Sequence, residues 1–199
     1  MILPRDFYTR EDVVGIAREL LGKKLCTTIG GETAYALISE TEAYEGVTDK
    51  ASHAYGGRRT ARTEIMYRQG GTAYVYLCYG IHSLFNIVTN QSGIPHAVLI
   101  RGIIPEDNNL ALEKRSGMQI SEKAGTGPGN VSRLLRIHYR HTGLDLCIPE
   151  YQREDGDVIW LEDAGIVIPD KDIIVTTRVG IDYAGEDALL PYRFIWKRR

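Results

Sequence analysis

The chain has 199 residues, 43% of them hydrophobic, and a formal net charge of −2 at pH 7. That length fits one domain with a full core, residues 1–199 together, and the near-neutral total argues against a nonspecific polyanion binder. No secretory leader and no apolar run long enough to span a bilayer is read in it, so no membrane association is expected. The cysteines, Cys26, Cys78 and Cys147, are odd in number and far apart. Small buried thiols in a reducing, cytoplasmic setting are expected. Charge is segregated along the chain: Arg58, Arg59, Arg62 and Arg68 oppose Glu64 alone, and Lys114, Arg115, Lys123, Arg133, Arg136 and Arg140 oppose Glu122. Such asymmetry permits a polyanion on one face, although folding could also disperse these residues.

Thr9 and Asp12 approximate a capping box ahead of Val13, Ile16, Ala17, Leu20 and Leu21, which recur at helical spacing up to a stop at Gly22. Lys24 to Ile29 reads as a strand, Gly30-Gly31 as a tight turn, and Thr33 to Tyr44 as the returning strand. Alternation along that strand puts Glu40 and Glu42 on one face. Like charges held so close would raise the pKa of one of them and suit it to proton transfer; two solvated acids on an exposed face would read the same way.

From Glu45 to Arg62 periodicity is lost, and His53 is the candidate binding group of this loop. In the strand from Thr72 to Gly80, Ala73, Val75 and Leu77 share one face and Tyr74 and Tyr76 the other, with Tyr79 at the strand end. This is either ordinary β-packing or a stacking platform for a flat ligand. Leu84 to Thr89 and Ala97 to Arg101 are apolar strands, one containing Asn86 and the other finishing in Arg101. Asn86 either is satisfied within the core or reads a ligand's edge. A helix is expected over 107–115, then a Gly-Pro turn at Gly125 to Asn130 opening another. Closing strands are expected at Val158 to Leu161, Ile173 to Ile181 and Arg193 to Trp196.

The Gly-Pro turn lacks the Lys-Ser/Thr pair of a P-loop, which removes nucleotide hydrolysis. Neither the five histidines nor the cysteines have zinc-ligand spacing, so no metal is expected. No Gly-x-Ser-x-Gly elbow is present. Carboxylate-driven chemistry is the simplest enzyme hypothesis left.

Taken in order, Glu40-Thr41-Glu42-Ala43-Tyr44, Asp49 to His53, Gly56-Gly57-Arg58-Arg59-Thr60, Tyr74 to Gly80, Asn86, Leu99-Ile100-Arg101, Gly127-Pro128-Gly129 and Arg178-Val179-Gly180-Ile181 form one pattern. It resembles the alkyladenine (3-methyladenine, methylpurine) DNA glycosylase family over nearly the whole chain. The resemblance implies an α+β fold, a single mixed domain with a curved antiparallel sheet flanked by helices. It also implies a monofunctional enzyme, acting as a monomer without a cofactor, which flips damaged purines from double-stranded DNA and hydrolyses the glycosidic bond. A bacterial protein of this kind would be associated with the nucleoid.

On that resemblance Glu42 matches the general base that activates water, and Arg101 a residue that holds the water and adjacent backbone. Tyr44, His53 and Tyr76 match the base pocket, Asn86 the group that clashes with the guanine 2-amino, and Tyr79 the wedge that enters the duplex. Glu40 receives no role. The chain departs from the family at Ala61 and Thr63, where Pro and Asn are typical, and at Asn130, where Lys is common. Two other readings stand beside this one: a glycosidase for free nucleosides or RNA, and a module that binds damaged nucleic acid without cleaving it.

Overall fold

The computed structural model describes residues 1–105, 112–113, 120–121, 123–148 and 156–198. Its spine is β2 (Glu32–Tyr44), which turns back from β1 (Lys24–Ile29) through Gly30 and Gly31, both at positive φ. On its other side β2 pairs antiparallel with β5 (His96–Pro105), and beyond that lie β4 (His82–Thr89) and β3 (Ala73–Cys78). The second half of β2 also pairs with β8 (Arg193–Trp196), which carries β7 (Ile173–Thr176), while β6 (Val158–Glu162) extends the sheet beyond β1. All of these pairings are antiparallel, and the sheet curves into a half-barrel as the α+β expectation required.

One face of the sheet carries the main core. Helix α2 (Val13–Glu19) presents Val13, Ile16 and Ala17 to it, and Leu20 and Leu21 follow just past the helix end. Each large aliphatic side chain fully buried there contributes about 1.5–3 kcal/mol. Helix α3 (Pro128–Leu134) adds Val131 and Leu134 from the far side, its start set by Gly127 at φ 90° and Pro128 in the first turn. The cap of α2 is Asp12, whose carboxylate accepts the Gly15 N–H at 2.7 Å. Thr9 instead follows a short helix, α1 (Arg5–Tyr8), so the expected capping box is not formed.

Two bulges decide which residues face away from this core. In β2, Ala34, Ala36 and Ile38 point into it, but Ser39 is an extra residue in the pairing with β5, and thereafter Ala43 joins Thr41 on the core side. In β5, Val98 and Ile100 point inward, Arg101 is the extra residue, and Ile103 resumes. Each bulge shifts the phase of alternation by one. Gly102 lies between them because a Cβ there would stand 2.9 Å from the Glu40 Cβ. Glu40 and Glu42 are thereby turned to the opposite face, where Leu99 and Arg101 also lie.

Two expected boundaries move, and one expected helix falls largely outside the described residues. β5 continues past Arg101 to Pro105, because Ile103 and Ile104 still pair with Ile38 and Leu37. β7 stops at Thr176 rather than reaching Ile181, because Arg178 turns inward and Gly180 adopts φ 75°. Of the helix expected over 107–115 only Leu112 and Glu113 are described; Lys114, Arg115 and Glu122 lie outside the described residues. None of the described helices is long and apolar enough to cross a membrane.

Candidate active site

The face turned away from the main core is covered by the long loop after β2, which contributes Ala54, Ile65, Met66 and Tyr67 to a second apolar cluster with Tyr74 of β3. Between loop and sheet is a cavity of about 430 Å³. Its lining includes Tyr44, His53, Tyr76, Tyr79, Asn86 and Arg101. Six of the seven residues singled out from sequence thus share one cavity.

The seventh, Glu42, is completely buried behind the wall. Its Oε2 accepts the Tyr44 hydroxyl and its Oε1 the Val179 N–H, both at 2.8 Å. Arg101 Nε stands 3.4 Å from the same Oε1. Tyr44, Arg101 and Val179 all line the cavity, so the carboxylate is one side chain away from it. Burial raises the Glu42 carboxyl above its ordinary range, against the lowering pull of Arg101, the Val179 N–H, the Tyr44 hydroxyl and Arg193. Repulsion from Glu40, the cause expected from sequence, is not what raises it. Glu40 Oε1 is occupied by Arg101 Nε at 2.9 Å and Arg193 Nε at 2.7 Å.

The aromatic wall is built as the alternation of β3 requires. Tyr74 and Tyr76 lie side by side with ring centroids 5.5 Å apart, and His53 meets Tyr76 edge-on at 4.8 Å. His53 Nδ1 is 2.8 Å from the Tyr74 hydroxyl. Burial, with Arg62 and Arg58 close by, lowers His53 to about 4, so its ring is neutral at physiological pH. Asn86 is buried, its Nδ2 donating to the carbonyls of Tyr74 and Leu84, both at 3.2 Å. At the rim Tyr79 is 91% exposed in the β3–β4 turn and has φ 52°, a backbone state that a bulky residue seldom adopts.

Sequence reasoning gave no role to three further groups at this site. Arg62 lies over the Tyr76 ring, 4.5 Å from its centroid. Arg178 is buried against Asp49 and brings the next residue's N–H to Glu42. Arg193 stands opposite Glu42 on β8 but bonds Glu40. A backbone N–H has no side-chain signature, and long pairings such as Asp49 with Arg178 have no local period; the only signal was the presence of both segments among the motifs of the resemblance.

The model of the methylpurine-DNA glycosylase family matches residues 6–199. The chain belongs to that family. The glycosylase is 41% identical over 196 residues to a Chlamydia felis protein, covering 98% of this chain and 95% of the relative. A Desulfitobacterium hafniense protein is 40% identical over 200 residues, with 96% of this chain and 93% of the relative covered. A Methanocella arvoryzae protein is 40% identical over 195 residues, at 97% and 91% coverage. All three bear the name "Putative 3-methyladenine DNA glycosylase". The departures of this glycosylase have structural consequences of their own. Thr63 Oγ1 accepts the Thr60 N–H at 2.8 Å and donates to the Arg58 carbonyl at 2.9 Å, tying down the basic loop. Asn130 donates to the Thr126 carbonyl at 2.7 Å.

Proposed function

We propose that this DNA glycosylase draws a damaged purine nucleotide out of duplex DNA into the cavity and that Glu42 activates water to attack C1′. The base leaves, an abasic site remains, and the strand is not cut. The observation that carries this reading is a buried carboxylate, raised in pKa and fixed by two neutral hydrogen-bond donors, immediately behind a cavity walled by aromatic rings. Each carboxylate oxygen keeps a second lone pair for a water held beside Arg101.

Extrusion loses a few kcal/mol of stacking and pairing, least for a damaged base, which already favours lesions. Tyr79 would enter the vacated stack and offset part of that loss. Tyr44, His53 and Tyr76 would sandwich the purine. An alkylated, cationic base gains about 0.5–2 kcal/mol over such rings, and a neutral His53 does not repel it. Asn86, its amide nitrogen tied to two carbonyls, would not yield to a guanine 2-amino group. The exposed Arg58, Arg59 and Arg62 would meet phosphates at the rim. The substrates on this reading are 3-methyladenine, 7-methylguanine, hypoxanthine and ethenoadenine in double-stranded DNA, attacked by a monomer in the cytoplasm.

The test incubates duplexes carrying hypoxanthine, ethenoadenine or 3-methyladenine with the wild type and with Glu42→Gln, scoring base release before and after alkali. Release by the wild type alone, with breaks only after alkali, is expected. Tight lesion-specific binding without release would overturn the catalytic reading in favour of a binding module.

A further inference from the structure

Two carboxylates and two guanidinium groups meet on the site face of β2, and their pairing is uneven. Arg101 Nε donates a hydrogen bond to Glu40 at 2.9 Å and stands in the longer ion-pair contact with Glu42, at 3.4 Å. Arg193 is the direct cross-strand neighbour of Glu42, yet its Nε reaches past it to Glu40 at 2.7 Å. Glu42 is left with the two neutral donors, the Tyr44 hydroxyl and the Val179 N–H. Both cations give their Nε hydrogen bonds to the neighbour, and Arg101 touches Glu42 only as an ion pair at 3.4 Å.

We propose that Glu40 is a positioning residue: by accepting Nε of both Arg101 and Arg193 it keeps these cations from hydrogen-bonding to Glu42. The proposal rests on the reading of Glu42 as general base. A carboxylate hydrogen-bonded to a guanidinium is a weaker base than one bonded to neutral donors, because the fixed charge favours its ionised form. The bulges at Ser39 and Arg101 are what make the diversion possible, since they set Arg101 and Gly102 together against Glu40. Glu40 is also 8% exposed and its side chain is enclosed by both arginines, so its charge acts at low screening.

Among the described residues the charged or titratable groups facing Glu42 are Glu40 and Tyr44 on its own strand, Arg101 from β5, Arg178 ahead of Val179, and Arg193 from β8. In Glu40→Gln the two guanidinium charges lose the carboxylate that accepts their Nε hydrogen bonds, and Arg101 closes from ion-pair contact to a hydrogen bond on Glu42. The ionisation midpoint of Glu42 then falls by about one pH unit. The acid limb of the base-release profile moves down with it, and the plateau rate drops.

The experiment follows the Glu42 carboxyl carbon by NMR in protein carrying 13C-labelled glutamate, the resonance being assigned by its loss in Glu42→Gln. A lowered midpoint in Glu40→Gln, a smaller lowering in Glu40→Asp, and recovery when Arg193→Gln is added to Glu40→Gln support the proposal. An unchanged Glu42 midpoint in Glu40→Gln and Glu40→Asp overturns it, whatever those variants do to stability. Because the midpoint is read without turnover, a shift in a protein whose wild type releases no base would leave the positioning of Arg101 supported and refute the reaction assigned to Glu42.

Discussion

Arg178 is buried against Asp49, its Nη2 donating to Asp49 Oδ1 at 2.9 Å, although 129 residues separate them. The same guanidinium donates to the Ala43 carbonyl beside Glu42 at 2.9 Å and lies over the Tyr44 ring. One ion pair therefore joins the loop after β2 to the segment after β7, and it delivers the Val179 N–H to Glu42.

Removing one member of such a pair leaves the other charged and buried. Arg178→Met is expected to lower unfolding free energy by about 3–5 kcal/mol in denaturant titrations. In the folded fraction the rate of base release should fall while lesion binding changes less. An unaltered rate would show that Val179 is held by other contacts.

The raised pKa of Glu42 makes a stability prediction of definite sign. A carboxyl whose folded pKa lies above its unfolded value, 4.5, favours the fold when protonated. That contribution is complete below about pH 4.5 and is lost as pH rises through the folded value. Glu42→Gln mimics the protonated form, so it should unfold at the same temperature as the wild type in acid. At pH 7.5 it should be the more stable of the two while being inactive. Equal stability at both pH values would mean that burial of the charge is compensated.

Tyr79 combines strain with exposure, having φ 52° and 91% of its surface accessible, next to Gly80 at φ 74°. A glycine adopts that backbone freely, so Tyr79→Gly should raise thermal stability by about 1 kcal/mol. Base release from duplex DNA should drop at least tenfold. Release from a single-stranded oligonucleotide, which has no stack to fill, should drop less; equal losses on both would refute the wedge.

His53 should titrate at about 4, lowered by burial first and then by Arg62 and Arg58. Arg62→Gln removes one of the charges and should raise the midpoint of the imidazole protons in NMR spectra. Between about pH 5 and 8 the wild-type rate should show no inflection from this ring. A His53 titration near its ordinary 6.5 would mean that the ring is not enclosed in solution.

Much of this site was legible in the sequence because its parts are local. The alternation of Tyr74 and Tyr76, the shared face of Glu40 and Glu42 and the Gly-Pro start of α3 depend only on neighbours in the chain. The ordered motifs led to the family and to seven candidate residues, six of which line the cavity with Glu42 buried behind it. What the sequence could not determine is which face the carboxylates occupy. Strict alternation from Ile38 would carry Glu40 and Glu42 into the main core, and the extra residue at Ser39, together with the one at Arg101, turns them to the cavity instead. A bulge is a property of two strands in register, stabilised here by the close approach of Gly102, and no single strand encodes it. The source of the Glu42 shift was likewise decided by tertiary structure: burial and partner choice, with both arginines drawn to Glu40, depend on side chains brought together from β2, β5 and β8.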